Sequence, residues 1–301
     1  MLRRAKSLTE TVASVLRERT LRLLQEYGLR PNKRLGQNFL VDAGVARDIV
    51  AAAELSDTDR VLEIGAGLGA LTELLARECE HVIALEADRG LCRTLRDLIH
   101  SENVQVIEAD FLRISLPLFM PGARSRPWKV VGNLPYCITS PIIEKLLRHS
   151  HLMSRCVLTV QKEVADRLRA RPGDPEYGSL TVFVGYYAAV RHVRDIPPQA
   201  FYPAPEVQSE AILLETRPPS DRPDCPPEAF EAVVRAAFGQ RRKMLRGSVG
   251  RSRRLGLPRD VMQSVFEQAG IDPTRRAETL SVEEFAALGR AVAAAASQPS
   301  Q

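Results

Sequence analysis

The sequence predicts an α/β fold with a small all-helical domain at its C-terminal end. Three observations carry this. Short apolar runs alternate with helical patterns between Arg60 and Val160. A Pro-rich segment, Arg217 to Pro227, then places five prolines in eleven residues. Beyond it only helical periodicity remains. Alternation of this kind implies a parallel sheet covered by helices on both faces.

The elements follow in order. Met1 to Arg34 holds nine basic and three acidic residues, with Val12, Val15, Leu16, Leu23 and Leu24 spaced as on a surface helix. Glu10, Glu18 and Glu26 argue against an organelle-targeting segment, which is poor in acids. This gives a basic N-terminal helical extension over 1–34, a sheet domain over 35–217 and a helical domain over 218–301. In the sheet domain, Val61 to Ile64 reads as a strand ending at Gly65. A helix carrying Leu71, Leu74 and Leu75 leads to a strand over His81 to Glu86. Further strands are predicted at Val104 to Ile107, Lys129 to Val131 and Cys156 to Val160, with helices at Arg89 to Ile99 and Pro141 to Leu147. Pro117 to Pro127, rich in Arg, and Arg171 to Gly178 read as loops. The C-terminal helices are Glu228 to Phe238, Arg259 to Gly270 and Val282 to Ala295.

Composition removes several classes. With 45% hydrophobic and 26% charged residues, the chain has enough apolar material for a core. No apolar run reaches the roughly 18 to 20 residues of a membrane span. Five scattered cysteines lack Cys-x-x-Cys spacing, and the five histidines form no ligand pattern. Neither a metal site nor a disulfide framework is indicated, and a reducing, cytoplasmic compartment fits.

Glu63-Ile-Gly65-Ala-Gly67-Leu-Gly69 lies between a strand and a helix. Glycines there allow a tight turn and close approach of a ligand to the backbone. Glu86 ends the next strand, where an acid accepts hydrogen bonds from ribose hydroxyls. Asp110 follows the third strand, and can accept from an adenine amine or simply form a turn before Phe111. Gly65-x-Gly67-x-x-Ala70 also satisfies a dinucleotide pattern, so the glycines alone do not select a cofactor. Glu63 tilts the choice toward S-adenosylmethionine.

Asn133-Leu134-Pro135-Tyr136 follows the fourth strand, at the sheet edge where such folds place their chemistry. An adenine amine is a poor nucleophile, because its lone pair is delocalised into the ring. Acceptors on its two hydrogens help to localise that pair. The Asn133 side-chain oxygen and the Leu134 carbonyl are suited to this. Pro135 restricts Leu134 to an extended conformation, and Tyr136 offers a face for a base to stack on. Nothing near Asn133 to Tyr136 supplies a hydride-transfer acid/base pair, which disfavours a nicotinamide-dependent dehydrogenase.

At this point the sequence resembles the KsgA/RsmA family of rRNA adenine N6,N6-dimethyltransferases. Leu35-Gly-Gln-Asn38-Phe-Leu40-Val-Asp42 is similar to its N-terminal cofactor motif, Val61 to Gly69 to its glycine loop, and Val131 to Tyr136 to its active-site motif. Gln161 to Leu168, Phe201 to Ser209 and Arg276 to Ser281 also match in order, so the likeness spans about Leu21 to Ala287. The resemblance implies a Rossmann-like methyltransferase sheet, with S-adenosylmethionine held by Asn38, Leu40, Gly65, Gly67, Glu86, Asp110 and Asn133. It implies dimethylation of two adjacent adenosines in a hairpin loop near the 3′ end of 16S small-subunit rRNA, in an assembling ribosomal particle, by a monomer. It makes Phe201 a second stacking face for the target base. From the residues alone, Leu40 reads equally as core, and Phe201 with Tyr202 as a rigid turn.

The sequence departs from the family at Cys137, read here as a buried inert thiol, and at Glu210, where Ala is common. Related Erm-type enzymes modify large-subunit rRNA; Leu35-Gly-Gln37 and Gln161-Lys-Glu163 favour the small-subunit enzyme. Arg235 to Arg259 holds nine Lys/Arg and no acid. Arg241, Arg242, Lys243 and Arg246 there are candidates for RNA phosphate contacts, against the alternative of a solvated helix face. With the N-terminal segment they hold the positive charge, so the rest of the chain is net acidic. A ribosome-assembly factor whose binding matters more than its chemistry is a further reading of that basic stretch.

Overall fold

The computed structural model describes residues 15–32, 36–240 and 242–297. The predicted helix positions before Val15, Leu35 of the first motif and Arg241 of the basic cluster lie outside them. In chain order the strands are β1 (Phe39–Leu40), β2 (Arg60–Ile64), β3 (His81–Glu86), β4 (Val104–Glu108), β5 (Trp128–Asn133), β6 (Met153–Gln161), β7 (Ala188–Ile196), β8 (Phe201–Tyr202) and β9 (Ser209–Thr216). The helices are α1 (15–26), α2 (Ala43–Ala52), α3 (Thr72–Glu78), α4 (Arg89–Leu98), α5 (Leu116–Phe119) and α6 (Thr139–Arg148). After these come α7 (Lys162–Arg169), α8 (Ser179–Tyr187), α9 (Pro227–Phe238), α10 (Leu245–Ser248), α11 (Arg259–Ala269) and α12 (Val282–Ala296).

Seven strands form one sheet in the order β4-β3-β2-β5-β6-β9-β7. From β4 to β6 every neighbouring pair is parallel. Val61, Leu62, Val130, Val131, Val157 and Leu158 are all fully buried, as expected of strands covered on both faces. The sheet is mixed rather than wholly parallel, because β9 runs antiparallel to β6 over seven residue pairs. Its buried run Ala211-Ile-Leu-Leu214 was hidden by the Pro-rich approach from Phe201 to Pro205, which reads as loop. β1 and β8 form a separate antiparallel pair that joins Leu40 to Phe201 and Phe39 to Tyr202.

The chain forms two compact units. The first runs to Ala165 and resumes over Ala189–Thr216; the second takes Asp166–Ala188 and everything from Arg217. This differs from the predicted 1–34, 35–217 and 218–301 in two respects. The N-terminal helix is part of the first unit, where Leu23 and Leu24 pack with Phe39, Leu68 and Leu91. Residues 166–188 belong with the C-terminal helices. The reason lies in α8, whose Leu180, Val182, Phe183, Val184, Tyr186 and Tyr187 are all buried. A helix apolar on every side has no 3.6-residue stripe to betray it and must be enclosed.

Within the second unit, Tyr186 stacks on Phe230 at 4.1 Å between centroids and donates its hydroxyl to the Cys225 carbonyl at 2.6 Å. Tyr177 donates to the Leu280 carbonyl at 2.7 Å. Ser281 and Glu284 cap α12 reciprocally. Arg242, Lys243 and Arg246 are exposed in this unit.

Replacing Tyr186 by Phe keeps the stack and leaves the buried Cys225 carbonyl without its donor. The expected cost is about 1–3 kcal/mol, read by denaturant unfolding.

Candidate active site

Four loops converge because β4, β3, β2 and β5 are adjacent and parallel, so their carboxyl ends open on one sheet edge. There the chain bounds a cleft of about 320 Å³ in the first unit. Asn38, Leu40, Gly65, Gly67, Glu86, Asp110 and Asn133 to Tyr136 all line it. The predicted cofactor and reacting-centre residues are thus brought together.

The turn after β2 needs glycine. Gly65 has φ of +74°, and a Cβ on it would stand 3.2 Å from the Asn133 carbonyl oxygen. Gly67 has φ of +57° and donates its N–H to Glu86 Oε2 at 2.8 Å. The Asp88 N–H donates to Glu86 Oε1 at 2.8 Å. Both Glu86 oxygens therefore accept from backbone N–H groups. Burial pushes the Glu86 carboxyl above its usual range.

Beneath the turn, Glu63 is 1% exposed and accepts the Thr72 hydroxyl at 2.6 Å. Burial raises its pKa to about 7, and the Glu86 charge adds to the rise, while the Thr72 bond opposes it. Asp110 lines the cleft and also forms its turn, since its Oδ1 accepts the Leu112 N–H at 2.9 Å. Lys145 on α6 donates to the Phe111 and Ile114 carbonyls at 2.7 and 2.6 Å, which ties this loop to the helix after the reacting-centre motif.

Asn133 donates its side-chain N–H to the Asn38 carbonyl at 2.8 Å. That bond fixes the amide and leaves its oxygen as an acceptor. Among the described residues, none donates to the Leu134 carbonyl oxygen. Pro135 itself holds φ of −61° and ψ of 127°. The Tyr136 hydroxyl lies 2.6 Å from Ser209 Oγ at the start of β9, so the ring is tethered at its far end. Burial raises the Tyr136 pKa.

Two expectations change. Phe201 is 1% exposed within the apolar cluster of Leu40, Val45 and Ile49, so it offers no face to a base. Its pairing with Leu40 turns it into the sheet-facing core. Leu40 is both core and cleft wall. Cys137 is an exposed thiol on the cleft, because the single helical turn Tyr136–Ile138 aims it outward. Sequence reasoning gave no role to Ser209 or to the Asn38 carbonyl, since neither a lone serine nor a backbone atom leaves a residue-type signal.

Among the described residues, His192, Asp195 and Glu210 bring possible metal ligands together. Lys162 Nζ is already 3.4 Å from Asp195 and 3.7 Å from Glu210, supplying the positive charge there. The departure at Glu210 is thus a buried acid facing a lysine.

Comparison with known proteins decides the family. Residues 28–293 match the family described as "Ribosomal RNA adenine dimethylase". The chain belongs to that family. A relative from Moorella thermoacetica, "Ribosomal RNA small subunit methyltransferase A", is 44% identical, covering 90% of this chain and 96% of its own. One of the same name from Geobacillus thermodenitrificans is 42% identical, covering 91% and 95%. The crystal structure of a dimethyladenosine transferase from Plasmodium falciparum matches with a TM-score of 0.70 at 25% identity, over 83% of this chain and 95% of that one. That of the 23S rRNA methyltransferase ErmE matches at 0.62 and 27% identity, over 85% and 100%. This dimethylase is an S-adenosylmethionine-dependent enzyme acting on rRNA adenine. The Rossmann-like methyltransferase sheet expected for it is the one described above. No described helix is long and apolar enough to cross a membrane.

Two predictions follow from the cleft. Ligand-free Glu63→Gln should gain stability relative to the parent as pH rises from about 4.5 to about 7, then level off. The unfolded carboxyl ionises first, while the folded one resists, so ionisation favours unfolding across that window. Denaturant unfolding at pH 5 and pH 8 measures the difference. Ser209→Ala should free the Tyr136 ring and lower kcat/KM for RNA several-fold with cofactor affinity unchanged. Ser209→Thr should restore it, as read by steady-state kinetics and calorimetry.

Proposed function

We propose that this dimethylase transfers methyl groups to N6 of two adjacent adenosines in a hairpin loop near the 3′ end of 16S small-subunit rRNA. It would act in the cytoplasm, as a monomer, on an assembling ribosomal particle. The observation that carries the site's part in this is the pinned Asn133 amide, on the wall of the cleft that also gathers Gly65, Gly67, Glu86 and Asp110. The small-subunit assignment draws on relatives of that name at 42–44% identity along nearly their whole length.

S-adenosylmethionine supplies an activated methyl on a sulfonium centre. The chain's own work is binding and placement. Glu86 takes the ribose hydroxyls with the acceptor directions its backbone bonds leave open, and Asp110 takes the adenine amine. Asn38, Leu40, Gly65 and Gly67 shape the remaining contact. For the target adenosine, the Asn133 oxygen and the Leu134 carbonyl accept from the amine hydrogens, which turns its lone pair outward. Tyr136 stacks the base, which must first leave its own stack. No general base is needed before attack, so in-line placement is the main catalytic demand. Arg242, Lys243 and Arg246, with Arg241, are assigned to RNA phosphates, which position the enzyme without reading sequence.

The test is methyl transfer to undermethylated small subunits, with large subunits alongside and mass analysis of the nucleosides. N6,N6-dimethyladenosine should form in 16S and not in 23S rRNA. Asn133→Ala should lower the rate about 10²- to 10³-fold, as for loss of one transition-state hydrogen bond. Dimethyladenosine in 23S rRNA alone overturns the substrate. If small-subunit assembly survives that variant, binding rather than chemistry is the main role.

A further inference from the structure

We infer that α1 is the outer wall of the cofactor cleft and sets how fast cofactor exchanges. Leu16, Arg19, Thr20 and Leu23 line the cleft. Their i, i+3, i+4, i+7 spacing is one helix face. The other face, with Arg17, Glu18, Leu21 and Arg22, is exposed to solvent.

Among the described residues, the helix packs mainly on segments that bound the cleft. Leu23 and Leu24 pack on Phe39 of β1, Leu68 of the glycine turn and Leu91 of α4. Arg19 pairs with Glu73 in the first turn of α3. A ligand in the cleft therefore bears on α1 and on its apolar anchors Phe39, Leu68 and Leu91. Binding favours the closed arrangement, because only that arrangement gives the ligand its fourth side.

The fastening is also weak enough to open. The Arg19 and Glu73 side chains remain 24% and 33% exposed, where an ion pair contributes little. In the apolar cluster α1 contributes only Leu23 and Leu24 among the described residues, and elements with few buried contacts open first. Dimethylating one adenosine consumes two cofactor molecules, so spent cofactor must leave and fresh cofactor enter between transfers. A side wall that opens while β2, β3 and β5 stay rigid meets that need. The inference rests on the family's cofactor and not on the identity of the RNA.

The probe is S-adenosylhomocysteine with the full-length protein. Hydrogen exchange of amides in 16–26 should slow at least threefold when it binds. Arg19→Met should release it about two- to fivefold faster, the range for a partly exposed ion pair. Leu16→Ala with Arg19→Met should release it faster still, with an unchanged melting temperature in the ligand-free state. Equal exchange of these amides with and without ligand overturns the inference, as does parental release from the double variant. If the double variant misfolds, exchange in the parent protein decides.

Discussion

The hydrogen bond from the Asn133 side chain to the Asn38 carbonyl organises this enzyme. It joins the end of β5 to a segment 95 residues earlier in the chain. One end of the bond orients the Asn133 amide at the cleft. The other fixes the backbone beside Phe39 and Leu40, which form β1 and reach across to β8. Two walls of the cleft are therefore joined by one contact. Tyr136 is secured by a second contact of the same kind, since Ser209 comes from the antiparallel strand β9.

Electrostatics reinforce this geometry. Glu63 and Glu86 sit in or under the cleft with little solvent, and burial raises both carboxyls. A cleft with two such acids favours a positively charged guest, because a nearby cation relieves the burial penalty. Both acids are also bound beside the glycine turn, Glu86 to Gly67 within it and Glu63 to Thr72 at the start of α3. The same groups thus carry charge and shape the loop.

The parallel core was legible because its strands are apolar, short and regularly separated, and Gly65 and Gly67 announce the turn that follows β2. Glu86, Asp110 and Asn133 could be placed because each ends or follows a readable strand. What failed to show were features defined by tertiary partners. β9 pairs with a strand about 50 residues away, and α8 is buried on all sides, so neither presents an alternating or helical stripe. Phe201 was misread for the same reason: an aromatic beside prolines looks available until its strand partner Leu40 is known. Cys137 went the other way, since a thiol's exposure depends on which side of one helical turn it occupies.

The chain enters the second unit at Asp166, leaves it at Ala188 and returns at Arg217. Its helical part is thus threaded through the catalytic part rather than appended to it. A cut in the Pro-rich segment, where sequence places the natural seam, would strand α8 without Phe230 and Cys225, baring Tyr186 and the apolar residues around it. Shuffling by end-to-end fusion could not have exchanged this module between proteins in one step. An engineer wishing to swap the helical part must graft at three points of the chain instead of one.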